Sequence, residues 1–233
     1  MSKSDAPPAY TSYQHACVSL NMSDRLRLMR FPPTIIELVR QAILDSWPRG
    51  INKEKQETDF YEFKLHGNPW WGQGDEAVPA RSLMIHVLSG LHNKGWFLLS
   101  STDVSKKALD KDCLIFQLGP VPSLTSFFSV SFDDYDKLRL ISAPAELIPA
   151  VQKTLGQESI QREEWRDGGN AYQFKLRGNP WISNGEDATN TRLKLLSLLD
   201  CFVKYGWKLH ASIDISQGHE GRDADSWFLR RDT

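Results

Sequence analysis

The stretch "YEFKLHGNPWWGQG", residues Tyr61–Gly74, returns almost unchanged as "YQFKLRGNPWISNG", residues Tyr172–Gly185. When the two segments are extended to residues 61–105 and 172–216, about 18 of 45 aligned positions are identical, without a gap. A repeat of this length inside one chain indicates a duplicated domain.

The duplication extends outward on both sides of this stretch. "SDRLRLMRFP" at Ser23–Pro32 matches "YDKLRLISAP" at Tyr135–Pro144, and "DKDCLIF" at Asp110–Phe116 matches "DADSWFL" at Asp223–Leu229. Two prolines and a glycine break regular structure in "GPVPSL", Gly119–Leu124. We therefore predict a disordered tail over residues 1–14, a first unit over 15–119, a linker over 120–126 and a second unit over 127–233.

The period of the apolar residues predicts the elements of each unit. Residues 18–31, "VSLNMSDRLRLMRF", alternate as two half-buried strands do, and residues 32–44, "PPTIIELVRQAIL", follow a helical period. The second unit's version of this helix, residues 143–155, is interrupted by Pro149.

A second strand pair follows, and then the strongest helical pattern of each unit, which ends at Gly95 or Gly206. Glycine is the residue that best adopts the left-handed conformation at a helix C-terminus. Two further strands complete the order ββαββαββ. We predict an α+β fold of two tandem similar units, each with helices on one face of a mainly antiparallel sheet.

The composition is that of an ordinary globular chain. Of 233 residues, 40% are hydrophobic and 24% charged, enough for one large core or two small ones. A formal charge of −1 and a pI near 6.6 exclude a strong attraction of the whole protein to nucleic acid or membrane surfaces. No apolar run reaches the ~18 residues of a membrane span, and the first residues lack the apolar core of a signal peptide. We therefore expect a cytoplasmic or nuclear protein.

The cysteines and histidines do not follow a metal-binding pattern. Cys17, Cys113 and Cys201 lie far apart in sequence and form no CxxC or Cys/His ligand spacing. We predict buried, reduced thiols, no metal site and no cofactor.

The tryptophans of the GNPW segments have two interpretations. Glycine, asparagine and proline favour a turn at the end of a strand, and Trp70 or Trp181 can anchor that turn in the core. Alternatively, Trp70, Trp71 and Trp181 form an exposed recognition patch beside the glycine loop. Trp71 is the better candidate for exposure, because its counterpart is Ile182.

One arginine lies near the start of the second helix of each unit, at matching positions. The helix dipole disfavours a cation in the first turn, so Arg81 and Arg192 are expected to have partners. One interpretation is an internal bridge from each arginine to the matched Asp103 or Asp214. The other is an anion-binding site.

Basic residues occupy outward positions on the predicted strands. They are Arg25, Arg27 and Lys64 in the first unit and Lys137, Arg139, Lys175 and Arg177 in the second. Such residues can simply protect sheet edges from pairing with other chains. They can also bind an acidic protein segment, or RNA across the sheet.

One linear motif lies outside the repeat. "PPAY", residues 7–10, fits the P-P-x-Y ligand of WW domains, in which Pro7 and Pro8 favour polyproline II and Tyr10 fills a second groove. The alternative interpretation is a plain flexible tail.

Catalytic motifs are missing from the sequence. It contains no GxSxG, P-loop or GxGxxG, and no Cys/His/Asp set is repeated in both units. We therefore assign no catalytic residue, and a cleft between the units is the place where an enzymatic site could lie.

The repeated motifs resemble those of a known family. FKL-x-GNPW followed by GW-x-L-x-x-S-x-D-x-S is similar to a eukaryotic family of tandemly duplicated domains whose function is not known. The resemblance covers nearly the whole chain apart from the tail, and it implies no activity.

These observations favour a non-enzymatic protein-interaction module or adaptor. RNA binding through the basic sheet faces, or an enzyme with its site between the units, are the alternatives. We expect the binding surface to use the GNPW loops and the basic strand faces, with a protein partner. Because the units arose by duplication, we also expect them to pack about a pseudo-two-fold axis.

Overall fold

A computed structural model describes residues 14–72, 74–102, 110–215 and 225–232. The first unit consists of β1 (His15–Asn21), β2 (Arg25–Met29), α1 (Pro33–Ser46), β3 (Ile51–Gln56), β4 (Tyr61–Leu65), α2 (Ala77–His92), β5 (Trp96–Thr102) and β6 (Asp110–Leu118). The second consists of β7 (Thr125–Asp133), β8 (Lys137–Ile141), α3 (Leu147–Leu155), β9 (Ile160–Arg166), β10 (Ala171–Leu176), α4 (Gly185–Lys204), β11 (Lys208–Ile213) and β12 (Ser226–Asp232).

The two units have the same topology. The first sheet has the strand order β3-β4-β2-β1-β6-β5, and the second has the equivalent order β9-β10-β8-β7-β12-β11. All pairings are antiparallel, and the register shifts at Leu99 in β5 as it does at the matching His210 in β11. Helices α1 and α2 pack on one face of the first sheet, and α3 and α4 pack on one face of the second. The predicted ββαββαββ order and α+β class are confirmed.

The local signals explain where the helices begin and end. Gly95 and Gly206 adopt φ values of 82° and 80°, as expected for the residue that ends a helix. Pro149 does not interrupt α3, because that helix begins at Leu147 and the proline lies in its first turn. Amide hydrogens of the first turn have no partner within the helix, so proline costs little there.

Helix α2 lies between the two sheets. Twelve of its 16 residues are buried, whereas only three of the 20 residues of α4 are. One face of α2 packs on its own sheet. Another face packs on the second sheet, and its apolar residues join a core cluster with Phe127, Ile141, Ile213 and Phe228. The layers through α2 are therefore the first sheet, α2, the second sheet and the second helix pair.

The two units do not pack about a pseudo-two-fold axis, so that expectation is wrong. A two-fold axis would bring the same surface of each unit to the contact. Here the first unit contributes mainly helix α2, together with its edge strand β5 against β11, and α2 packs on the outer face of the second sheet, the face opposite α3 and α4. The contact is heterologous, that is, it joins different surfaces of the two units. Each helix pair covers one face of its own sheet. One face of α2 and the outer face of the second sheet are left uncovered within their own units, and these two faces meet.

Candidate functional site

Each GNPW segment forms the same turn at the end of a strand. Gly67 and Gly178 adopt left-handed φ values of 80° and 70°. A 3₁₀ turn follows in each unit, at Pro69–Trp71 and at Pro180–Ile182. The glycine and the proline thus act as the sequence predicts, the first through its freedom at positive φ and the second through its fixed φ.

The matched tryptophans bind matched carbonyl groups. The indole Nε1 of Trp70 donates to the carbonyl oxygen of Arg25 at 2.8 Å, and that of Trp181 donates to Lys137 at 2.9 Å. Trp70 is fully buried, which supports the anchor interpretation for that residue. Trp181 is only half-buried, and Trp71 is 51% exposed.

The half-buried Trp181 borders a recess in the second unit, which we call the GNPW pocket. It has a volume of about 300 Å³ and is lined by Phe132, Pro180, Trp181, Thr191, Arg192, Leu195, Asp225 and Trp227, among others. The counterparts of its apolar residues in the first unit are buried, and they include Leu20, Pro69, Trp70, Met84 and Leu114. The same arrangement is thus closed in one unit and open in the other. Sequence reasoning missed Trp227, because its counterpart Leu114 does not suggest a binding residue.

Three exposed apolar side chains lie on the part of α4 that begins beside this pocket. With Arg192 they form what we call the helix face, which consists of Arg192, Leu193, Leu196 and Val203; the exposed Asp200 lies between the last two. The three apolar side chains are each more than half exposed, and Leu196 reaches 58%, whereas its counterpart Ile85 on α2 is 5% exposed. Exposed apolar patches on a single element are typical of interaction sites.

The matching face of α2 forms a contact between the units. Arg81 Nε donates to Ser226 Oγ at 3.0 Å, and its Nη2 lies 3.7 Å from Asp133 Oδ1. At its last residue, α2 places His92 edge-on against Phe127, with ring centroids 5.6 Å apart. The helix face of the first unit is therefore already a protein-binding surface.

The buried His92 and the half-buried His210 meet at this contact. The rings of His92 and His210 lie 5.5 Å apart, and both contact Phe127. Burial lowers the pKa of His210 to about 3, and the neighbouring His92 and Arg230 contribute to the effect. Burial also lowers the pKa of His92, with Arg230 adding to it and Asp232 opposing it. Both rings are neutral at pH 7.

The arginines that open the second helices have different surroundings. Arg81 is buried and contacts the second unit, whereas Asp103, its predicted partner, lies outside the described residues. Arg192 is exposed, and within the described part of the chain no carboxylate pairs with it, Asp214 included. Arg192 is thus the cation of the two that can meet an external partner.

The basic strand residues of the first unit are paired with acids. Arg25 Nη1 and Arg27 Nε contact the buried Glu62 at 3.1 and 2.6 Å, and Lys64 Nζ lies 3.6 Å from Asp24. These ion pairs neutralise much of the predicted basic surface.

The basic strand residues of the second unit are also paired with acids, although only the pair of Lys175 and Asp136 matches a pair of the first unit. The basic residues and their acids are Lys137 with Asp134, Arg139 with Asp133 at 3.1 Å, and Lys175 with Asp136 at 2.7 Å. Arg139 is buried beneath the first unit, and Arg177 lies exposed after β10. Most of the matched cations thus form ion pairs within their own unit, and they do not form a continuous basic surface.

A cleft separates the start of α2 from the second sheet. Its volume is about 570 Å³, and Asp75, Arg139, Trp165 and the turn at 167–169 line it. The predicted inter-unit cleft therefore exists. Its buried cation, Arg139, is held by Asp133 and by Gln173, to which Nε donates at 2.8 Å.

A polar cluster that the sequence did not indicate holds α1 to the first sheet. Arg40 Nη2 donates to Glu54 Oε2 at 2.7 Å and to the hydroxyl of Tyr61 at 3.0 Å. Arg40 lowers the pKa of Glu54, and burial raises that of Tyr61. In the second unit Gln152 replaces the arginine and donates to Glu163 at 2.9 Å. Because the cluster joins a helix to a sheet in both units, we assign it a structural role.

The fold brings together two cysteines that are distant in sequence. The Sγ atoms of Cys17 on β1 and Cys113 on β6 lie 2.8 Å apart, and both residues are half-buried and unbridged. The contact with Cys113 raises the pKa of Cys17. The prediction of buried thiols is confirmed for Cys201 and is wrong for Cys17 and Cys113, which are half-buried.

The PPAY motif lies outside the described residues; its residues are Pro7, Pro8 and Tyr10. Among the described residues, no group of His, Cys, Asp and Glu could hold a metal ion. Within the same ranges, no helix has the length and apolar character needed to cross a membrane.

Comparisons with known proteins support the duplication. The model of one domain family matches the chain twice, at residues 14–117 and 126–230, and its description gives no function. A search of curated proteins gave no match. The chain is also similar to the crystal structure of a conserved kinetoplastid-specific protein from Trypanosoma cruzi. That similarity has 16% identity and a TM-score of 0.35, over 44% of this chain and 95% of the other.

Proposed function

We propose that this chain, which belongs to the family defined by the twice-matched domain, is a non-enzymatic protein-interaction module or adaptor. The observation that carries the proposal is the helix face of α4. Its apolar side chains are exposed, and the equivalent face of α2 is buried against another folded unit. A surface that binds protein in one copy of a domain supports the same use in the other copy.

The chemistry of the helix face suggests what it binds. Leu193, Leu196 and Val203 offer exposed apolar side chains, and Arg192 adds an exposed guanidinium at one end that forms no ion pair with another described residue. Buried aromatic and arginine side chains commonly dominate the energy of protein interfaces, and Trp181 lies in the adjoining pocket. The partner would be a protein surface that is largely apolar, with an acceptor for Arg192.

The basic strand faces are a weaker candidate for this function. Arg25, Arg27 and Lys64 are engaged by Glu62 and Asp24, so binding RNA phosphates there would compete with existing ion pairs. We therefore centre the proposal on the helix face and retain RNA as an outcome of the test.

The experiment compares proteins captured by wild type and by a Leu193→Glu, Leu196→Glu variant, using quantitative mass spectrometry. The control is Leu44→Glu, which changes a leucine of similar exposure on α1. We expect specific proteins to be lost from the double variant and retained by the control. Identical recovery from all three baits would contradict the proposal, and nuclease-sensitive recovery would favour RNA.

Two further parts of the proposal rest on sequence alone. We propose that Pro7–Tyr10 binds a WW domain, and Tyr10→Ala should abolish recovery of WW-domain proteins. Unchanged recovery would remove the motif from the proposal. The composition supports a cytoplasmic or nuclear location, which fluorescence microscopy of the tagged chain would test.

A further inference from the structure

The contact inside the chain leaves one copy of each contacting surface unused. The helix face of the first unit binds the outer sheet face of the second. What remains is the helix face of α4 and the outer face of the first sheet. We call the latter the sheet face and define it by Ser19, Arg27, Met29, Leu99 and Ile115. Its residues are half-buried or exposed, whereas the counterparts of the first three, Ser131, Arg139 and Ile141, are buried under α2.

The sheet face keeps the central polar feature of the occupied one. In the second sheet, Arg139 Nε donates to Gln173 Oε1 at 2.8 Å, linking β8 to β10 beneath α2. In the first sheet, Arg27 Nε donates to Glu62 Oε2 at 2.6 Å, linking β2 to β4 in the same way. The two outer sheet faces therefore share an arginine that links the two strands, with Glu62 in place of Gln173 as its acceptor.

The residues at one end of the contact have changed in a complementary manner. His92 of α2 contacts His210 of β11 within the chain. The counterpart of His92 is Val203, and the counterpart of His210 is Leu99. Both are apolar and both are more than half exposed. A repeated contact would bury these two side chains against each other, replacing a pair of polar rings with two apolar groups.

Charges at the other end are also complementary. Asp75, before α2, lines the inter-unit cleft together with Arg139. The counterpart of Asp75 is the exposed Glu186, and the counterpart of Arg139 is Arg27 on the sheet face. In a repeated contact, a carboxylate would again face a strand arginine.

We propose that this chain associates with itself head to tail, the helix face of one molecule docking on the sheet face of the next as the first unit docks on the second. The proposal rests on the proposed function of the helix face and names a second copy of the chain as the partner. A heterologous contact of this kind does not close at two copies, so it generates open chains of molecules.

Sedimentation equilibrium of the full-length protein tests this directly. Over about 1 µM to 1 mM, where weak protein contacts become populated, we expect the weight-average mass to rise with concentration. It should start near 26.6 kDa and pass the mass of a dimer without a plateau. A constant monomer mass, or a limiting dimer, would overturn the proposal.

Two single variants separate the two surfaces. Val203→Glu blocks the helix face and Leu99→Glu blocks the sheet face, and both positions are exposed enough for the fold to tolerate the change. Each variant alone should remain a monomer. An equimolar mixture retains one intact helix face and one intact sheet face, so it should form a 1:1 dimer and nothing larger. Continued growth of either variant alone, or no dimer in the mixture, would contradict head-to-tail docking.

The same proteins distinguish this proposal from the proposed function. Leu44→Glu should assemble like wild type. If wild type stays monomeric while helix-face variants lose captured proteins, self-association is wrong and the interaction function stands. If wild type stays monomeric and the helix-face variants capture the same proteins, both proposals fail.

Discussion

Three tryptophans in the GNPW turns allow a direct comparison of buried and exposed side chains. Trp70 is fully buried and hydrogen-bonded, whereas the adjacent Trp71 is about half exposed. Trp70→Ala should lower the free energy of unfolding by ~3–5 kcal/mol, because it leaves a cavity in the core. Trp71→Ala should change it by less than about 0.5 kcal/mol. Trp181→Ala should lie between them.

Urea denaturation followed by far-ultraviolet circular dichroism measures these differences without relying on tryptophan fluorescence. Equal losses for Trp70→Ala and Trp71→Ala would show that the first tryptophan is not a core anchor.

The histidine pair between the units predicts a dependence on pH. The pKa of His210 is about 3 in the folded protein, below the ordinary value of 6.5. Between these values the unfolded chain binds the additional proton, so stability should fall as pH falls from about 6.5 towards 3. His92, whose pKa is also lowered, adds to the loss.

His210→Leu places the first unit's residue at the matching position and removes this titration. Between pH 6.5 and 4.5 the free energy of unfolding of the variant should fall less than that of wild type. The difference between the two losses should reach up to ~1.4 kcal/mol per pH unit. Thermal melts at both pH values provide the measurement. Parallel losses in the two proteins would exclude His210 as the source.

The sequence could predict that a residue is an anchor or needs a partner, but it could predict less well which residue that partner is. Trp70 as an anchor follows from turn chemistry that acts over a few neighbouring residues. Arg81 was expected to need a partner, but nothing local indicates that Asp133 and Ser226, in the other unit, are among its partners. Asp133 was therefore missed, since only the docking of the two units brings it to Arg81.

At the scale of elements, the glycines that end the long helices differ in their surroundings. Both adopt φ values near 80°. A Cβ at Gly95 would lie 2.6 Å from the carbonyl oxygen of Gly119, whereas at Gly206 the nearest atom is the flexible Arg231 Cδ at 3.3 Å. Gly206→Ala should cost ~1 kcal/mol from the positive φ alone, and Gly95→Ala clearly more, because backbone must move.

Chemical denaturation of the two glycine variants side by side provides the comparison. A greater loss for Gly206→Ala than for Gly95→Ala would contradict the close approach of Gly119 to the end of α2.

The elements themselves were predictable because their signals are local. Alternating strands, helical periods and terminal glycines act within a few residues, and each signal occurs twice in the chain. What the patterns could not show is which apolar helix face is covered. Ile85 and Leu196 occupy matching positions and are both apolar, yet one is buried and the other exposed. The difference arises only when the units dock.

The whole molecule should unfold as one cooperative body. Helix α2 belongs to the first unit, but its core cluster includes Phe127 and Phe228 from the second. Unfolding either unit would expose apolar surface of the other. We therefore expect coincident transitions when unfolding is followed by circular dichroism and by calorimetry, with equal calorimetric and van't Hoff enthalpies. Two separate transitions would show that the units are independent.

The position of α2 also has a consequence for synthesis on the ribosome. At about 5–20 residues per second, synthesis of the first unit is complete roughly 5–20 s before that of the second. During this time the apolar face of α2 is exposed. The next strand to emerge is β7, one of the strands on which that helix packs. Translation thus delivers part of the cover for α2 first, whereas β11 and β12, which complete it, are made last.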